Sequence, residues 1–399
     1  MTATDKLSIN PEQTIALLRQ MVQIDSVNPS LVPGAKGEME LARFIAQVME
    51  KAGIEVELTE IAPGRPNVLG RLRGDGGGRT LILNGHLDTV SVEGMSDPFS
   101  AHIQDGKMFG RGTMDMKGGL AAGMAAMLAL HKARVPLKGD LVLACVADEE
   151  LASIGTEALV KTVSGDGCIL LEPTGLSSIA SGASRVLVAH GGFIWAEIET
   201  QGVAAHGSLP SRGVDAIAKM GRVLTELEEL GQREKSFVSP LAQETMHPSV
   251  HASLIEGGRE LSSYPDRCLL TIERRLIPAE TVADVEAELE DILDRLAADD
   301  PQFKARQRIT FVREPWQATE GSLLSTLDQA FMQEIGQTLG RAIFPSWTDA
   351  AITERAGIPT LVFGPAGDGA HALVEYVEID SVLACARVLV QTAIAFCGQ

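Results

Sequence analysis

His86 and Asp88 close the apolar run LILNGHLD, and Asp148, Glu149 and Glu150 close LVLACVADEE. Glu172 closes CILLEPT. Asp115 sits in GRGTMDMKGG just before a helix-forming run, and His371 follows PTLVFGPAG through a glycine-rich loop. Carboxylates and imidazoles are the ligands that zinc, manganese or cobalt takes in a hydrolytic centre. Taken singly, each has an ordinary explanation. A His-x-Asp pair arises by chance, Glu149-Glu150 suits a solvated helix start, and Asp115 suits a helix cap. The joint placement is what points to a metal centre.

The elements that must position these residues alternate between strand and helix. Helices fit PEQTIALLRQMVQI, with Ser8 or Asn10 as its cap, and GEMELARFIAQVMEKAG, with Gly53 as its stop. The runs IEVELTEI, NVLGRLRG and TLILNGHLD read as strands, and GGLAAGMAAMLALHKA as a small-residue helix suited to close packing on a sheet. Alternation of this kind predicts an α/β fold whose mixed, mostly parallel sheet is covered by helices on both faces. In such sheets ligands bind beyond the carboxyl ends of the strands, so the five stretches converge on one rim.

The middle of the chain follows another pattern. From about Ser184 a strand, a helix, a long polar loop, a strand pair and a second helix follow one another, which is an α+β unit. The expected organisation is therefore a catalytic domain in two parts, 1–183 and 316–399, with a lid domain inserted at 184–315.

Composition narrows the function classes. Lys and Arg total 34 against 53 Asp and Glu, a formal charge of −19. So acidic a surface repels phosphate backbones and argues against nucleic acid as a partner. The five cysteines form no CxxC pair, as expected of buried reduced thiols in a cytoplasmic protein. The first residues, MTATDKLSINPEQ, lack the apolar core of a signal peptide. No run of about 18 apolar residues is evident, so no membrane span is expected.

With the motifs NGHLDTV (84–90), GRGTMDMKGG (110–119), ADEE (147–150), LEPT (171–174), AAHGS (204–208) and GPAGDGAH (364–371) in this order, the chain resembles a metallohydrolase family. Its members include acetylornithine deacetylase, succinyl-diaminopimelate desuccinylase, aminoacylase and glutamate-releasing carboxypeptidases. The resemblance implies two divalent ions per chain, zinc first, with cobalt or manganese as alternatives. One ion takes His86 and Glu172, the other Glu150 and His371, and Asp115 bridges both. It further implies a cis Asp115–Met116 peptide, and an Asp88 carboxylate that accepts from the far nitrogen of His86 and fixes its tautomer. A metal-bridging water attacks the amide, with Glu149 as general base. His206 is implied as an oxyanion donor reaching a partner subunit's site, which makes the inserted domain a dimerisation domain and the protein a homodimer. Arg275, in ERRLIPAE, matches the family arginine that clamps a substrate carboxylate. Arg274 beside it is expected on the opposite strand face.

The chain departs from the family in places that bear on the substrate. Ser262 in LSSYPD stands where relatives often carry Asn, GPAG replaces GPG, and Val374 replaces the Asn before Glu375. The activity expected is removal of an acyl group from an N-acyl amino acid, with a carboxypeptidase or dipeptidase acting on a short peptide as the alternative. A non-catalytic binding protein on this scaffold is expected to have lost Glu149 or a ligand, and all are present.

Overall fold

The computed structural model describes residues 7–175, 184–233 and 235–398. The chain divides into two compact units. The first runs to Val188 and resumes over Ala318–Ala342 and from Thr348; the second is Ala189–Gln317 with Ile343–Trp347. The expected boundary after 183 lies outside the described residues. The short return at 343–347 is absent from the expected 184–315. It belongs to the second unit because Ile343 N–H donates to Glu244 Oε2 (2.9 Å), Gly191 N–H donates to Phe344 O (3.0 Å), and Trp347 Nε1–H donates to Glu314 O (3.0 Å).

In the first unit the sheet runs Glu55–Ala62, Arg65–Leu72, Leu141–Val146, Leu81–His86, Gly167–Leu170, Thr360–Val362. The last four of these strands are parallel and the first two antiparallel, and beyond Thr360–Val362 the sheet continues into the antiparallel strand Arg185–His190. Every residue of Leu81–His86, Leu141–Val146 and Gly167–Leu170 is buried, as strands covered on both faces must be. Helix Pro11–Gln23 is capped by Asn10, whose side chain accepts from Gln13 N–H, and Met39–Ala52 stops at Gly53 with φ +87°. Gly119, in the first turn of helix Gly118–Ala133, is where this helix meets the sheet. A Cβ there would stand 1.9 Å from Leu171 O, so only glycine permits the approach.

One helix corrects the expectation about apolar runs. Ile379–Cys397 has 19 residues and a mean hydropathy of 1.6, long and apolar enough to cross a membrane by length and composition. Asp380 and Arg387 interrupt its sequence, which hides the run from a simple count of apolar residues. It packs between helices Gly118–Ala133 and Ser322–Ile335, with 67% of its most apolar window buried.

A small antiparallel sheet, unforeseen in the sequence, joins His102–Gln104, Lys107–Phe109, Tyr376–Glu378 and Gly367–Asp368. It ties the loop carrying His371 to the segment that leads to Asp115.

The second unit is an antiparallel sheet in the order Ser249–Gly257, Arg267–Leu276, Gly192–Gln201, Lys304–Arg313. Alternate residues Ile194, Ala196 and Ile198, with Leu270, Ile272 and Leu276, are buried in one core with helices Ala216–Gly231 and Val282–Asp299. Thr281 and Asp284 form a reciprocal cap at the start of the latter.

Candidate metal centre

Two groups of ligand-type side chains meet at the strand ends. His86, Asp115 and Glu172 form one, and Asp115, Glu150 and His371 the other, with ligand atoms within 4.8 Å of one another in each. Asp115 belongs to both and divides its oxygens between them. Its Oδ1 lies 2.9 Å from His86 Nε2, and its Oδ2 lies 3.4 Å from His371 Nε2. His86 Nε2 is also 3.5 Å from Glu172 Oε1, and His371 Nε2 is 3.0 Å from Glu150 Oε2.

The donor set fits a pair of divalent cations. Four carboxylates, from Asp115, Glu149, Glu150 and Glu172, gather around two imidazoles, and Glu150 Oε1 is buried without a hydrogen-bond partner. An acceptor in that state is costly unless a cation or proton meets it. Without ions the protons redistribute accordingly. Burial and the neighbouring Asp115 charge push Glu150 up to about 7. Burial and neighbouring carboxylates likewise hold Glu149 and Glu172 well above the usual range. Hydrogen bonds to Asp115 and Glu150 raise His371 to about 10. Burial alone would lower His86, but the charges of Glu172 and Asp115 carry it well above its ordinary value. Burial likewise pushes Asp115 upward, and His371 and His86 reverse this and hold it below.

Glu149 is adjacent in sequence to a ligand-type residue, but its carboxylate makes no hydrogen bond among the described residues. Asp88 does not do what was expected of it. His86 Nδ1 lies 2.9 Å from the backbone oxygen of Asp88 and 3.6 Å from its carboxylate, so the main chain sets the tautomer. The Asp88 carboxylate instead accepts the backbone N–H groups of Glu149 (3.1 Å) and Glu150 (3.2 Å).

Asp115 is held from behind by Glu375, a residue to which the sequence assigns no role. Its Oε1 accepts from Met114 N–H (2.9 Å) and Asp115 N–H (3.1 Å), and its Oε2 from Gly112 N–H (3.0 Å) and Arg111 Nη1 (2.7 Å). Arg111 Nη2 also donates to Ala372 O, beside His371. The peptide Asp115–Met116 is cis. Asp349, also missed, is buried and accepts from Thr156 Oγ1 at 2.5 Å, and its charge acts on Glu149 and Glu172. The Thr-Asp pair that opens helix Ala350–Arg355 was its only sequence signal.

In the second unit, His206 and Ser262 are neighbours. Gly207 N–H donates to Ser262 O (2.7 Å) and Tyr264 N–H to Ala205 O (2.9 Å). His206 is exposed, with Nδ1 engaged by Ser208 Oγ (2.7 Å). Arg275 lies elsewhere, near the far end of strand Arg267–Leu276. Its Nε donates to Glu273 Oε1 (2.6 Å), and its guanidinium stands 5.0 Å from the Phe193 ring centre. Arg274 faces the other way, buried and paired with Glu280.

Fold and site together define a metal-dependent amide hydrolase. The chain belongs to Peptidase family M20/M25/M40, which matches residues 82–395. It is 31% identical over 399 residues to acetylornithine deacetylase of Edwardsiella ictaluri, covering 96% of this chain and 98% of that one. It is 28% identical over 423 residues to N-formyl-4-amino-5-aminomethyl-2-methylpyrimidine deformylase of Halalkalibacterium halodurans, covering 97% and 95%. Among solved structures, a dinuclear metal-binding peptidase of family M20 from Bacillus subtilis shares the fold with a TM-score of 0.75 at 16% identity, covering 97% of this chain and 98% of that one.

Proposed function

We propose that this protein hydrolyses the amide bond of an N-acyl amino acid, releasing the acyl group as a carboxylate. The observation that carries the reading is the sharing of Asp115 between two ligand clusters beside a half-buried residue, Glu149, whose carboxylate has no hydrogen bond among the described residues. His86, Asp115 and Glu172 would hold one ion, and Asp115, Glu150 and His371 the other, with zinc as the metal. When bound, the ions supply a water ionisable near neutral pH and a Lewis acid for the carbonyl. Glu149 takes a proton on its carboxylate and delivers it to the leaving nitrogen. Burial, which raises its proton affinity, suits it to hold that proton between the two transfers. Asp88 aims Glu149 and Glu150 by gripping both backbone amides. Deacylases among the curated relatives favour this reading over a peptidase.

We further propose that Arg275 binds the substrate carboxylate and that His206, with Ser262 beside it, serves the active site of a second copy. Arg267 begins its strand and Arg275 nearly ends it, so at about 3.4 Å per residue the two ends are about 27 Å apart. His206 and Ser262 precede the near end. A substrate of amino-acid size cannot reach both ends within one chain, which makes a homodimer the arrangement that uses both. The edge strand Ser249–Gly257 supports this, with Leu254 and Ile255 at 71% and 57% exposure.

The test is elemental analysis beside a panel of N-acyl amino acids and dipeptides. The expected result is about two divalent ions per chain, activity lost to a chelator and restored by Zn²⁺, and preference for the acyl compounds. Activity that persists in chelator overturns the metal reading, and preference for dipeptides overturns the deacylase reading.

A further inference from the structure

Beneath the turn that carries Glu149 and Glu150 lies a polar network in which Asp88 and Asp148 meet three residues outside every motif, Arg65, Glu38 and Asn28. Arg65, at the start of strand Arg65–Leu72, points its guanidinium inward with 8% side-chain exposure. Its Nε donates to both oxygens of Glu38 (3.0 and 2.9 Å), and its Nη2 donates to Glu38 Oε1 (2.7 Å). The same Nη2 reaches Asp148 Oδ1 (2.7 Å) and Asn28 Oδ1 (3.2 Å), while Nη1 donates to Ser30 Oγ (2.7 Å). Asn28 spends both hydrogens of its amide on carboxylates, Asp148 Oδ1 (2.9 Å) and Asp88 Oδ2 (2.7 Å). Asp88 in turn holds the Glu149 and Glu150 amides.

Three features make this more than an ordinary ion pair. Among the described residues Arg65 is the one arginine or lysine paired with the buried carboxylates of Glu38 and Asp148, and Asn28 links Asp148 to the buried carboxylate of Asp88. Asp148 stands at φ +68°, a conformation uncommon outside glycine and open to aspartate when its side chain is held by hydrogen bonds. Its carboxylate is the handle by which Arg65 and Asn28 hold it. From Asp148 the chain passes directly to Glu149 and Glu150, so a rotation there swings both side chains. A guanidinium suits the task because its planar fork holds two carboxylates at fixed angles, which an ammonium cannot do.

We infer that Arg65, clamped by Glu38, is a positioning residue for the hydrolytic reaction. It sets the aim of Glu149 and Glu150 through Asp148 on one side and through Asn28 and Asp88 on the other. This rests on the proposed roles of Glu149 and Glu150. Misplacement of a reacting group by about 1 Å can cost two orders of magnitude in rate, so the effect belongs in turnover rather than in substrate affinity. It also belongs in the grip on the ion that Glu150 would hold.

Two variants test it. Arg65→Lys keeps the charge and loses the fork. Glu38→Gln keeps the shape of the clamp and removes its charge, while Arg65 stays on Asp148. In each folded variant, kcat and KM are measured at saturating Zn²⁺, and Zn²⁺ affinity by competition with a chromogenic chelator. The expected result is a kcat lower by about tenfold or more, KM changed by less than about threefold, and weaker binding of one of the two ions. Wild-type kcat and Zn²⁺ affinity in a folded variant, or loss confined to KM, overturns the inference. Failure of both variants to fold also overturns it, since Arg65 is then a structural ion pair only. Glu149→Gln run in parallel separates the two readings: if that variant turns over normally, the proposed function fails whatever Arg65 does.

Discussion

Glu375 and Asp115 are joined carboxylate to main chain: Oε1 of Glu375 accepts the Asp115 amide at 3.1 Å while both Oε2 contacts come from Arg111 and Gly112. The residue that serves both ligand clusters is thus aimed by a second carboxylate with four donors. A glutamine at 375, however it is turned, sets an NH₂ group against two of them. Leaving a buried donor unmet costs about 1–3 kcal/mol. Glu375→Gln is expected to destabilise the fold by about 2 kcal/mol or more and to lower turnover by about tenfold. Chemical denaturation and steady-state kinetics check this, and unchanged turnover would remove Glu375 from the support of the site.

Metal removal should make stability depend on pH in a stated direction. Glu149, Glu150 and Glu172 have folded proton affinities raised above those of the unfolded chain, to about 7 for Glu150. His86 and His371 are raised as well, His371 to about 10. Between the ordinary carboxylate range and about pH 10, the metal-free native state binds more protons than the unfolded one, so its stability falls as pH rises. Asp115, lowered, acts oppositely only in acid below its ordinary value, and Lys117, pushed down to about 7 by burial, offsets part of the trend above that pH. The chelated protein should therefore melt several degrees lower at pH 8 than at pH 6, and Zn²⁺ should abolish the difference. A metal-free melting temperature that climbs over that interval contradicts the crowding of carboxylates described above.

Glu149→Gln should keep both ions and lose turnover by about 10²-fold or more, since the amide can neither take nor return a proton. Metal analysis paired with kinetics is the check. Loss of metal along with activity would make Glu149 a ligand.

Arg275→Ala should lower kcat/KM by about 30-fold, the low end of what removing one partner of a buried charge pair costs. Amidation of the substrate carboxylate should cost wild type a similar factor. The two losses should not add, because they remove the same contact. Simple additivity would show that Arg275 engages its neighbour Glu273 and not the substrate.

Leu254→Lys places a charge beside exposed Ile255 on the edge strand Ser249–Gly257, which carries Glu256 but no Lys or Arg, whereas the opposite edge, Lys304–Arg313, already carries Lys304, Arg306, Arg308 and Arg313. Charges on an edge oppose pairing. Light scattering should report a dimer for the natural chain and a monomer for the variant. A natural chain that is monomeric at working concentration removes the role of His206 in trans.

His86, Glu150 and Glu172 were legible because each closes an apolar run, and strand ends in an α/β sheet meet at one rim, whereas Asp115 and His371 were legible through the motifs around them. The helices that Asn10 and Gly53 bound were legible for a similar reason, since cap chemistry is local. What supports the ligands was not. Arg65, Glu38 and Asn28 come from a strand start, a helix cap and a loop, and nothing in RPN, GEM or VNP distinguishes a buried fork from a surface charge. Asp88 was located but given the wrong acceptor, because spacing cannot say whether a carbonyl or a carboxylate of the same residue faces the ring. Glu375 and Arg111 are separated by most of the chain and meet only through the small sheet, whose strands of two or three residues leave no periodicity to detect.

The insertion of the second unit has a consequence for how the protein is made. His86, Asp115 and Glu172 have all been synthesised before the second unit is begun, so a growing chain already owns one complete cluster. His371 emerges only after that unit has been built, and so does the helix Ile379–Cys397 that fills the first unit's interior. The ribosome therefore delivers the two halves of the centre in a fixed order, separated by the time needed to translate an entire domain. The second cluster can close only after the whole inserted unit has been translated.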